Sequence, residues 1–174
     1  MEFRRIEDLS KVKDIYELYL ASFPPEERVP FDSLFSGVFE GFELYALYDN
    51  EHLVAMAHLN NTENFVHVNY LAVVKEYQCQ GNGSDVLSRV KDMFKGKAVV
   101  LDIEELDEEA ENNHLRIRRK KFYGKNGFVQ GEHVFNWEGV FMTYMHCGEL
   151  DGEEFMEYIQ IIFPTIINVR KRDV

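Results

Sequence analysis

Apolar residues in the first forty positions follow two different spacings. Residues 1–6 alternate apolar and polar side chains, which predicts a short strand. Residues 12–23 carry apolar side chains at steps of three and four, which predicts an amphipathic helix. Pro24 and Pro25 end that helix because proline has no amide donor and restricts the residue before it. We therefore expect a loop over 26–30 and a short second helix over 31–39. The helix stripe consists of Val12, Ile15, Tyr16, Tyr19, Leu20 and Phe23.

The apolar spacing changes from helical to alternating at Phe42. Three alternating segments follow, over 42–48, 53–59 and 65–73, and short polar turns separate them. Strands joined by such short connections pair antiparallel. The sequence therefore predicts a three-stranded meander.

The next segment has the pattern of a βαβ unit. The strand that ends at Val73 leads into a glycine-containing turn over 78–83 and then into a helix over 84–94. Residues 98–103 are apolar except for Asp102, as in a strand buried on both faces. A helical crossover of this kind joins parallel strands, so we expect one parallel pair here.

The last seventy residues alternate between charged and apolar segments. An acidic stretch covers 104–111 and a basic helix carries the cations of 116–121; such charge runs are most often solvated faces. A hairpin is predicted over 128–136 and 140–147. Residues 151–167 predict a final amphipathic helix, which either packs on the sheet or forms a dimer interface.

These elements indicate an α/β (α+β) fold with a mixed, mostly antiparallel sheet, one parallel pair and flanking helices. The length of 174 residues suits a single domain. We expect a core over 1–147 and a C-terminal helical extension over 148–174.

Composition and charge exclude several classes of function. Apolar residues make up 45% and charged residues 29%, as in a soluble globular protein, and the net charge is −12. Such an acidic surface repels phosphate backbones, so we expect cationic ligands and no nucleic acid. The chain has two cysteines, Cys79 and Cys147, and no apolar run of bilayer length. We expect no signal peptide ahead of Arg4 and Arg5. We expect a cytoplasmic protein with no membrane partner and no metal site, because no His or Cys pair shows zinc-ligand spacing.

The turn over 78–83 carries the clearest candidate chemistry. It stands where a strand becomes a helix, so several backbone N–H groups and the positive end of the helix dipole converge there. Gly81 and Gly83 let the backbone approach a ligand closely. This arrangement suits a pyrophosphate, although an ordinary helix-entry turn has the same composition. No Gly-Lys-Ser or Gly-Lys-Thr follows, so the turn is not a P-loop.

Two segments resemble the GCN5-related N-acetyltransferase (GNAT) family. Leu71-Ala72-Val73 followed by Gln78-x-x-Gly81-x-Gly83 is similar to its acetyl-CoA motif, and Phe122-Tyr123-Gly124-Lys125-Asn126-Gly127-Phe128 is similar to its Phe-Tyr-x-x-x-Gly-Phe element. The predicted order of elements also matches this family up to about Cys147. The resemblance implies the acyl-CoA N-acyltransferase fold, in which the parallel pair is splayed and the pantetheine arm lies in the gap.

The resemblance also implies roles for individual residues toward acetyl-CoA as co-substrate. The backbone of Leu71, Ala72 and Val73 would bind the pantetheine arm. Tyr123 would protonate the departing thiolate. Arg116 stands where many members have a cofactor-binding Asn, so its role stays open between a phosphate contact and a solvated face. The N–H groups that would hold the pyrophosphate belong to Gln78, Cys79, Gln80, Gly81, Asn82, Gly83 and Ser84.

The acceptor side has only candidate residues. Glu104 and Glu105 follow the strand beside the cofactor gap, and either could serve as the base that takes the amine proton. His67 and Asn69 are candidate positioning groups because alternation places them on the face of Leu71 and Val73. For all of these, an ordinary solvated or hydrogen-bonded role is the alternative. Two further candidates for the acceptor mouth are Glu26 and Glu27.

We expect an enzyme that moves an acetyl group to a primary amine of a small molecule or peptide, by direct attack in a ternary complex. The acidic surface would concentrate a cationic amine. The alternative is a non-catalytic acyl-CoA-binding sensor, which would not need the proton donor Tyr123. The sequence leaves the choice between monomer and homodimer open.

Overall fold

The computed structural model describes residues 1–8, 12–35 and 41–172, and the chain divides into two compact units at Lys95 and Gly96. Among the described residues, each unit contains four strands and two α-helices. None of the described helices combines the length and the apolar character that a bilayer crossing requires.

The elements of the first unit are β1 (Glu2–Arg5), α1 (Lys13–Ser22), β2 (Phe42–Asp49), β3 (His52–Asn61), β4 (Phe65–Val73) and α2 (Asn82–Met93). Its strands pair antiparallel in the order β1-β2-β3-β4. The N-terminal strand and the predicted meander are therefore confirmed, and strand β4 has the predicted bounds.

Helix α1 buries a narrower stripe than its spacing predicts. Ile15, Leu18 and Tyr19 lie in the core, where Leu18 was not expected. Tyr16 and Leu20 are 42% and 37% exposed, so their predicted burial is wrong. Ile15, Leu18 and Tyr19 are spaced i, i+3 and i+4, so they share the helix face that contacts the core. Tyr16 and Leu20 lie beside this face and point outward.

The segment after α1 contains two short 3-10 helices. Pro25–Glu27 forms the first, within the predicted loop, and Phe31–Leu34 forms the second. The predicted helix over 31–39 is thus a single tight turn in its described part, and 36–40 lie outside the described residues.

The elements of the second unit are β5 (Ala98–Glu104), α3 (Asn113–Lys125), β6 (Val129–Trp137), β7 (Val140–Cys147), α4 (Gly152–Ile162) and β8 (Ile166–Lys171). Its strands pair antiparallel in the order β5-β7-β6-β8. The predicted strand over 98–103 and the predicted hairpin are confirmed.

The predicted helix over 151–167 is wrong beyond Ile162. Asp151 caps the N terminus of α4 by accepting hydrogen bonds from the amides of Glu153 and Glu154, and α4 packs on β6 and β8. Pro164 has no amide donor to continue the helix. The chain instead adds strand β8 to the edge of β6, so the C-terminal extension is a helix followed by a strand.

Candidate functional site

The loop between β4 and α2 is held in shape by its own side-chain amides. A short 3-10 helix, Lys75–Tyr77, leads into a segment in which Cys79 and Gly81 have φ angles of 61° and 88°. Left-handed backbone at two nearby residues turns the chain sharply into the helix. Three amide side chains fasten this turn: Gln78 Nε2 donates to the Val73 carbonyl at 3.0 Å, Gln80 Nε2 to Glu76 at 2.7 Å, and Asn82 Nδ2 to Tyr77 at 2.8 Å.

The N terminus of α2 has room and donors for an anion. Gly81 is the N-cap residue, and a Cβ added there would meet no described atom within 4 Å. No described side chain caps this helix, so the amides of its first turn keep their capacity for a bound anion. The helix dipole favours negative charge at the same point. The geometry fits the pyrophosphate of acetyl-CoA.

Strand β4 contains a β-bulge at Asn69. Tyr70 pairs with His58 and Val68 pairs with Leu59, so Asn69 is the extra residue on its strand. The bulge reverses the alternation: His67 lies on the face of Tyr70 and Ala72, whereas Leu71 and Val73 lie on the other face. The expectation that His67 shares a face with Leu71 and Val73 is therefore wrong.

The bulge lies beside a buried histidine that the sequence analysis missed. His58 is 1% exposed, and its Nδ1 lies 3.3 Å from Nδ2 of Asn69. Burial lowers the pKa of His58 to about 4, with a further contribution from His67, so the ring is neutral at pH 7. His58 meets Asn69 because of the register in which β3 and β4 pair. In the sequence, only the length of the turn between the two strands indicates that register.

Two tyrosine hydroxyls fasten the loop over 26–30 to the first unit. Tyr70 Oη donates to the carbonyl of Glu27 at 2.8 Å, and Tyr19 Oη donates to the carbonyl of Val29 at 3.0 Å. Burial raises the pKa of both phenols, which keeps them protonated as donors. The loop that carries the exposed residues Glu26 and Glu27 is therefore attached to the bulged strand through Tyr70.

In the second unit, the carboxylate of Glu104 is fully engaged. It accepts from Asn112 Nδ2 at 3.0 Å and Arg119 Nη1 at 2.6 Å, and Arg116 Nη2 lies 3.3 Å away. Its side chain is 13% exposed. Oxygens held by two guanidinium groups do not suit a base that must accept a proton from the acceptor.

Glu105 and Arg116 are also tied into the second unit. The carboxylate of Glu105 accepts from Arg172 and from Gln130 Nε2. Arg116 is 11% exposed; it donates to the Glu105 carbonyl at 2.8 Å and to Asn112 Oδ1 at 2.8 Å. Arg116 thus stabilises the second unit through these internal hydrogen bonds and does not belong to a solvated face. The solvated acidic face predicted over 104–111 begins only after Glu105.

Tyr123 lies in α3, half-buried between two aromatic rings. The ring centroids of Phe122 and Phe128 are 5.1 and 5.9 Å away. Burial raises the pKa of Tyr123 to about 12, against an opposing effect of Arg119. The phenol is therefore protonated throughout the physiological range, as a proton donor must be.

Glu132, His133 and Glu153 place their ligand atoms within 4.8 Å of one another, a grouping that the sequence spacing does not reveal. Nζ of Lys171 lies 2.7 Å from Glu153 and 3.2 Å from Glu132. The ammonium group thus already supplies a cation to these two carboxylates.

The candidate residues fall into the two units. The first unit brings together the cofactor residues from Leu71 to Ser84, the bulge residues, and the loop of Glu26 and Glu27. The second unit holds Tyr123, Glu104 and Glu105.

Comparison with known proteins identifies the family. Residues 40–130 match the model of the acetyltransferase (GNAT) domain. "Putative acetyltransferase YjbC" of Bacillus subtilis (strain 168) is 26% identical over 119 residues, which are 68% of this chain and 58% of that protein. The chain thus spans less than two thirds of the length of this curated relative.

Solved structures show the same fold. "Putative acetyltransferase from GNAT family" of Bacteroides thetaiotaomicron is 25% identical with a TM-score of 0.77, covering 94% of this chain and 98% of that one. A Bacillus subtilis acetyltransferase in complex with CoA is 17% identical with a TM-score of 0.59, covering 86% and 99%.

The predicted fold class is confirmed: a mixed α/β fold whose strands are mostly antiparallel, with one parallel pair. Acetyl-CoA, the predicted co-substrate, is confirmed as that of the family. With more than half of its residues matched by the domain model, the chain belongs to the GNAT family of acetyl-CoA-dependent acyltransferases.

Proposed function

We propose that the protein transfers the acetyl group of acetyl-CoA to a primary amine of a small molecule or peptide, by direct attack in a ternary complex. The observation that carries this proposal is the geometry of the β4–α2 segment, where an uncapped helix N terminus faces open space at Gly81. Cys79 and Cys147 form no disulfide in the described part of the chain, which suits a reducing, cytoplasmic setting.

The first unit would bind the co-substrate through its backbone. The amides of Gln78 to Ser84 would hold the pyrophosphate, and Leu71, Ala72 and Val73 would bind the pantetheine arm. The bulge at Asn69 turns the backbone locally next to this segment, and bulges often lie beside active sites. An amide of the bulged strand aimed at the thioester carbonyl would stabilise the oxyanion that forms on attack.

The acceptor amine must lose a proton before it attacks. Because Glu104 and Glu105 are held by arginines, we assign them to support of the second unit. Glu26 and Glu27 are exposed residues of the loop attached to the bulged strand, so we assign the attraction of the ammonium form and the removal of its proton through water to them. His67 and Asn69 would position the acceptor from β4.

Tyr123 would donate a proton to the CoA thiolate. At a pKa of about 12 the phenol is a weaker acid than an ordinary tyrosine, since each pKa unit is worth about 1.4 kcal/mol. Full proton transfer to the thiolate, whose conjugate thiol has a pKa of ~8.5, is then uphill, so the hydroxyl acts chiefly by hydrogen bonding as negative charge develops on sulfur.

Tyr123→Phe removes this hydroxyl and little else. We expect kcat to fall about ten- to a thousand-fold, the usual effect of losing a general acid, with acetyl-CoA affinity retained. The measurement is CoA release with a panel of amines, together with calorimetry of acetyl-CoA binding. Tyr16→Phe, which removes an exposed hydroxyl on α1, is the control. Equal rates for wild type and Tyr123→Phe would remove Tyr123 from the mechanism.

Gly81→Val tests the anion site itself. The added side chain would occupy the open space at the α2 N terminus and would disfavour the φ of 88°, so we expect acetyl-CoA binding to be lost. Gly139→Val is the matched control, because Gly139 also has a positive φ, 93°, and no described atom near its missing Cβ. Calorimetry showing the same acetyl-CoA affinity in both variants would contradict the site.

One observation favours the second candidate function, a non-catalytic acyl-CoA sensor: the expected base Glu104 is engaged by arginines. A sensor would bind acetyl-CoA and release no CoA with any amine of the panel. Turnover that depends on Tyr123 would exclude it.

A further inference from the structure

The buried histidine and the bulge residue of strand β4 form a hydrogen-bonded pair within the first unit. His58 Nδ1 lies 3.3 Å from Asn69 Nδ2, and the centroid of the imidazole ring lies 4.9 Å from that of Phe42 and 6.0 Å from that of Tyr70. Because His58 is 1% exposed, these neighbours leave its ring little freedom to rotate. A rigid partner therefore holds one end of the Asn69 carboxamide.

The tautomer of His58 decides which end of the carboxamide it holds. A neutral imidazole has one N–H donor and one acceptor nitrogen. Nε2 makes no hydrogen bond of ordinary length with a described residue, yet the Leu34 backbone opposes the lowering of the pKa of His58, as a carbonyl that faces a ring N–H does. We therefore place the proton on Nε2, which leaves Nδ1 to accept a hydrogen bond from the amide N–H of Asn69.

The other end of this carboxamide carries an oxygen without a donor. Asn69 Oδ1 is buried and accepts no hydrogen bond from any residue that the structure describes. As the extra residue of the bulge, Asn69 has no pairing partner on β3. A buried carbonyl oxygen that lacks a donor is unfavourable, so this atom favours a ligand with an N–H or O–H group.

The order of the proposed binding groups along β4 indicates which ligand group reaches Asn69. With the pyrophosphate at 78–84 and the pantetheine arm along Leu71 to Val73, the arm runs back along the strand toward the bulge. Asn69 stands two residues before Leu71, about 7 Å along the strand. The thioester and the attacking amine would therefore meet at the bulge. An acetyl thioester offers only hydrogen-bond acceptors, whereas the amine has the N–H donors that Oδ1 lacks.

We propose that Asn69 Oδ1 accepts a hydrogen bond from the attacking amine, and that His58 is the positioning residue that keeps this oxygen turned toward the amine. One N–H of the amine is then held in place while its lone pair stays free to attack the thioester carbon. In the reversed carboxamide, the NH₂ group would donate to that lone pair and oppose the attack. This inference rests on the proposed function.

The test measures CoA release by the full chain with spermidine, lysine, kanamycin and alanyl-glycine, and the amine with the highest kcat/KM becomes the probe. Asn69→Ala removes the oxygen and should lower kcat/KM for that amine about tenfold, the usual effect of one hydrogen bond. His58→Leu removes the acceptor of the Asn69 amide and should cause a similar loss. Calorimetry should show unchanged acetyl-CoA affinity in both variants, because the cofactor is bound by other groups.

A double variant separates positioning by His58 from general support of the strand. If His58 acts through Asn69, His58→Leu causes no further loss in a protein that already carries Asn69→Ala. His58→Gln has a side-chain oxygen that can accept from the Asn69 amide, so it should retain most of the activity that His58→Leu loses. His52→Leu changes an exposed position of the same strand and should match wild type.

Nitrogen NMR of the wild-type protein checks the pair without any substitution, and should show His58 protonated at Nε2 and unprotonated at Nδ1. A proton on Nδ1, an unchanged kcat/KM in Asn69→Ala, or additive losses in the double variant would overturn the inference. So would a loss of acetyl-CoA affinity that matches the loss of kcat/KM. Each of these results would leave acetyl transfer standing as long as the wild type releases CoA. No CoA release with any of the four amines would contradict acetyl transfer and this inference together.

Discussion

His58 links the stability of the first unit to pH. Its ring is neutral and buried in the folded protein, with a pKa of about 4, whereas an unfolded histidine titrates near ~6.5. Between these values the unfolded chain binds the extra proton, so the free energy of unfolding falls as pH decreases below about 6.5. We expect His58 to account for a loss of roughly 3 kcal/mol by pH 4. Urea unfolding between pH 7.5 and 4 measures this loss.

The matched variant is His58→Gln, which keeps a polar side chain next to Asn69 but cannot titrate. Its stability should be lower than wild type at pH 7.5 and should depend less steeply on pH below 6.5. The same pH slope in both proteins would show that other groups carry the effect.

At the level of single residues, the sequence predicts the type of a side chain better than its partners. The carboxylates of Glu104 and Glu105 are visible in the acidic stretch, and so is the candidate donor Tyr123. Their partners are Asn112, Arg116, Arg119 and Arg172, between 8 and 67 positions away along the chain. Folding brings these distant guanidinium groups to the carboxylates. The sequence alone therefore does not distinguish a catalytic base from a carboxylate that forms a structural ion pair.

Packing of α4 against β6 and β7 depends on two glycines around one tyrosine. A Cβ at Gly131 would overlap the ring of Tyr144, and a Cβ at Gly152 would lie 2.5 Å from its hydroxyl. Tyr144 is 2% exposed, with the ring of Phe155 4.9 Å away, so the ring has no room to move.

We expect Gly131→Ala to destabilise the protein by about 1–3 kcal/mol through overpacking. Gly124→Ala is the control, for which we expect the opposite sign. Gly124 lies within α3, and no described atom is near its missing Cβ. Alanine should therefore stabilise the helix by about 0.5–1 kcal/mol. Thermal unfolding of both variants measures the difference. A neutral Gly131→Ala would mean that the Tyr144 ring can be displaced.

Whole elements are predicted well where the pattern is regular and local. The alternation over 65–73 gives the bounds of β4, and the hairpin spacing gives those of β7. The bulge at Asn69 is invisible, because it arises from the register between β3 and β4 and not from either strand alone. Strand β8 is missed because its Ile166 continues the helical spacing of α4, although Pro164 stands between them.

At the scale of the whole molecule, a net charge of −12 implies that the folded state works against its own repulsion. The Debye length shortens from about 30 Å at 0.01 M salt to about 10 Å at 0.1 M, so salt screens this repulsion. The partly buried ion pair of Glu104 with Arg116 is screened less than exposed pairs are. We therefore expect the Tm to rise between 0.01 and 0.2 M NaCl. Exposed pairs such as that of Arg4 with Glu51 weaken over this range, but surface pairs of this kind contribute little to stability.

Variants of different net charge separate the effect of the overall repulsion on the Tm from the effect of individual ion pairs. Glu108 and Glu109 are exposed, so replacing both with lysine changes the net charge by +4 and should reduce the rise in Tm. Lys95→Glu, which alters an exposed position in the opposite sense, should increase it. Differential scanning calorimetry across the salt series measures all three proteins. If their salt dependences were identical, screening of the net charge could not be the cause, and the rise would have to come from specific ion binding or stronger apolar burial.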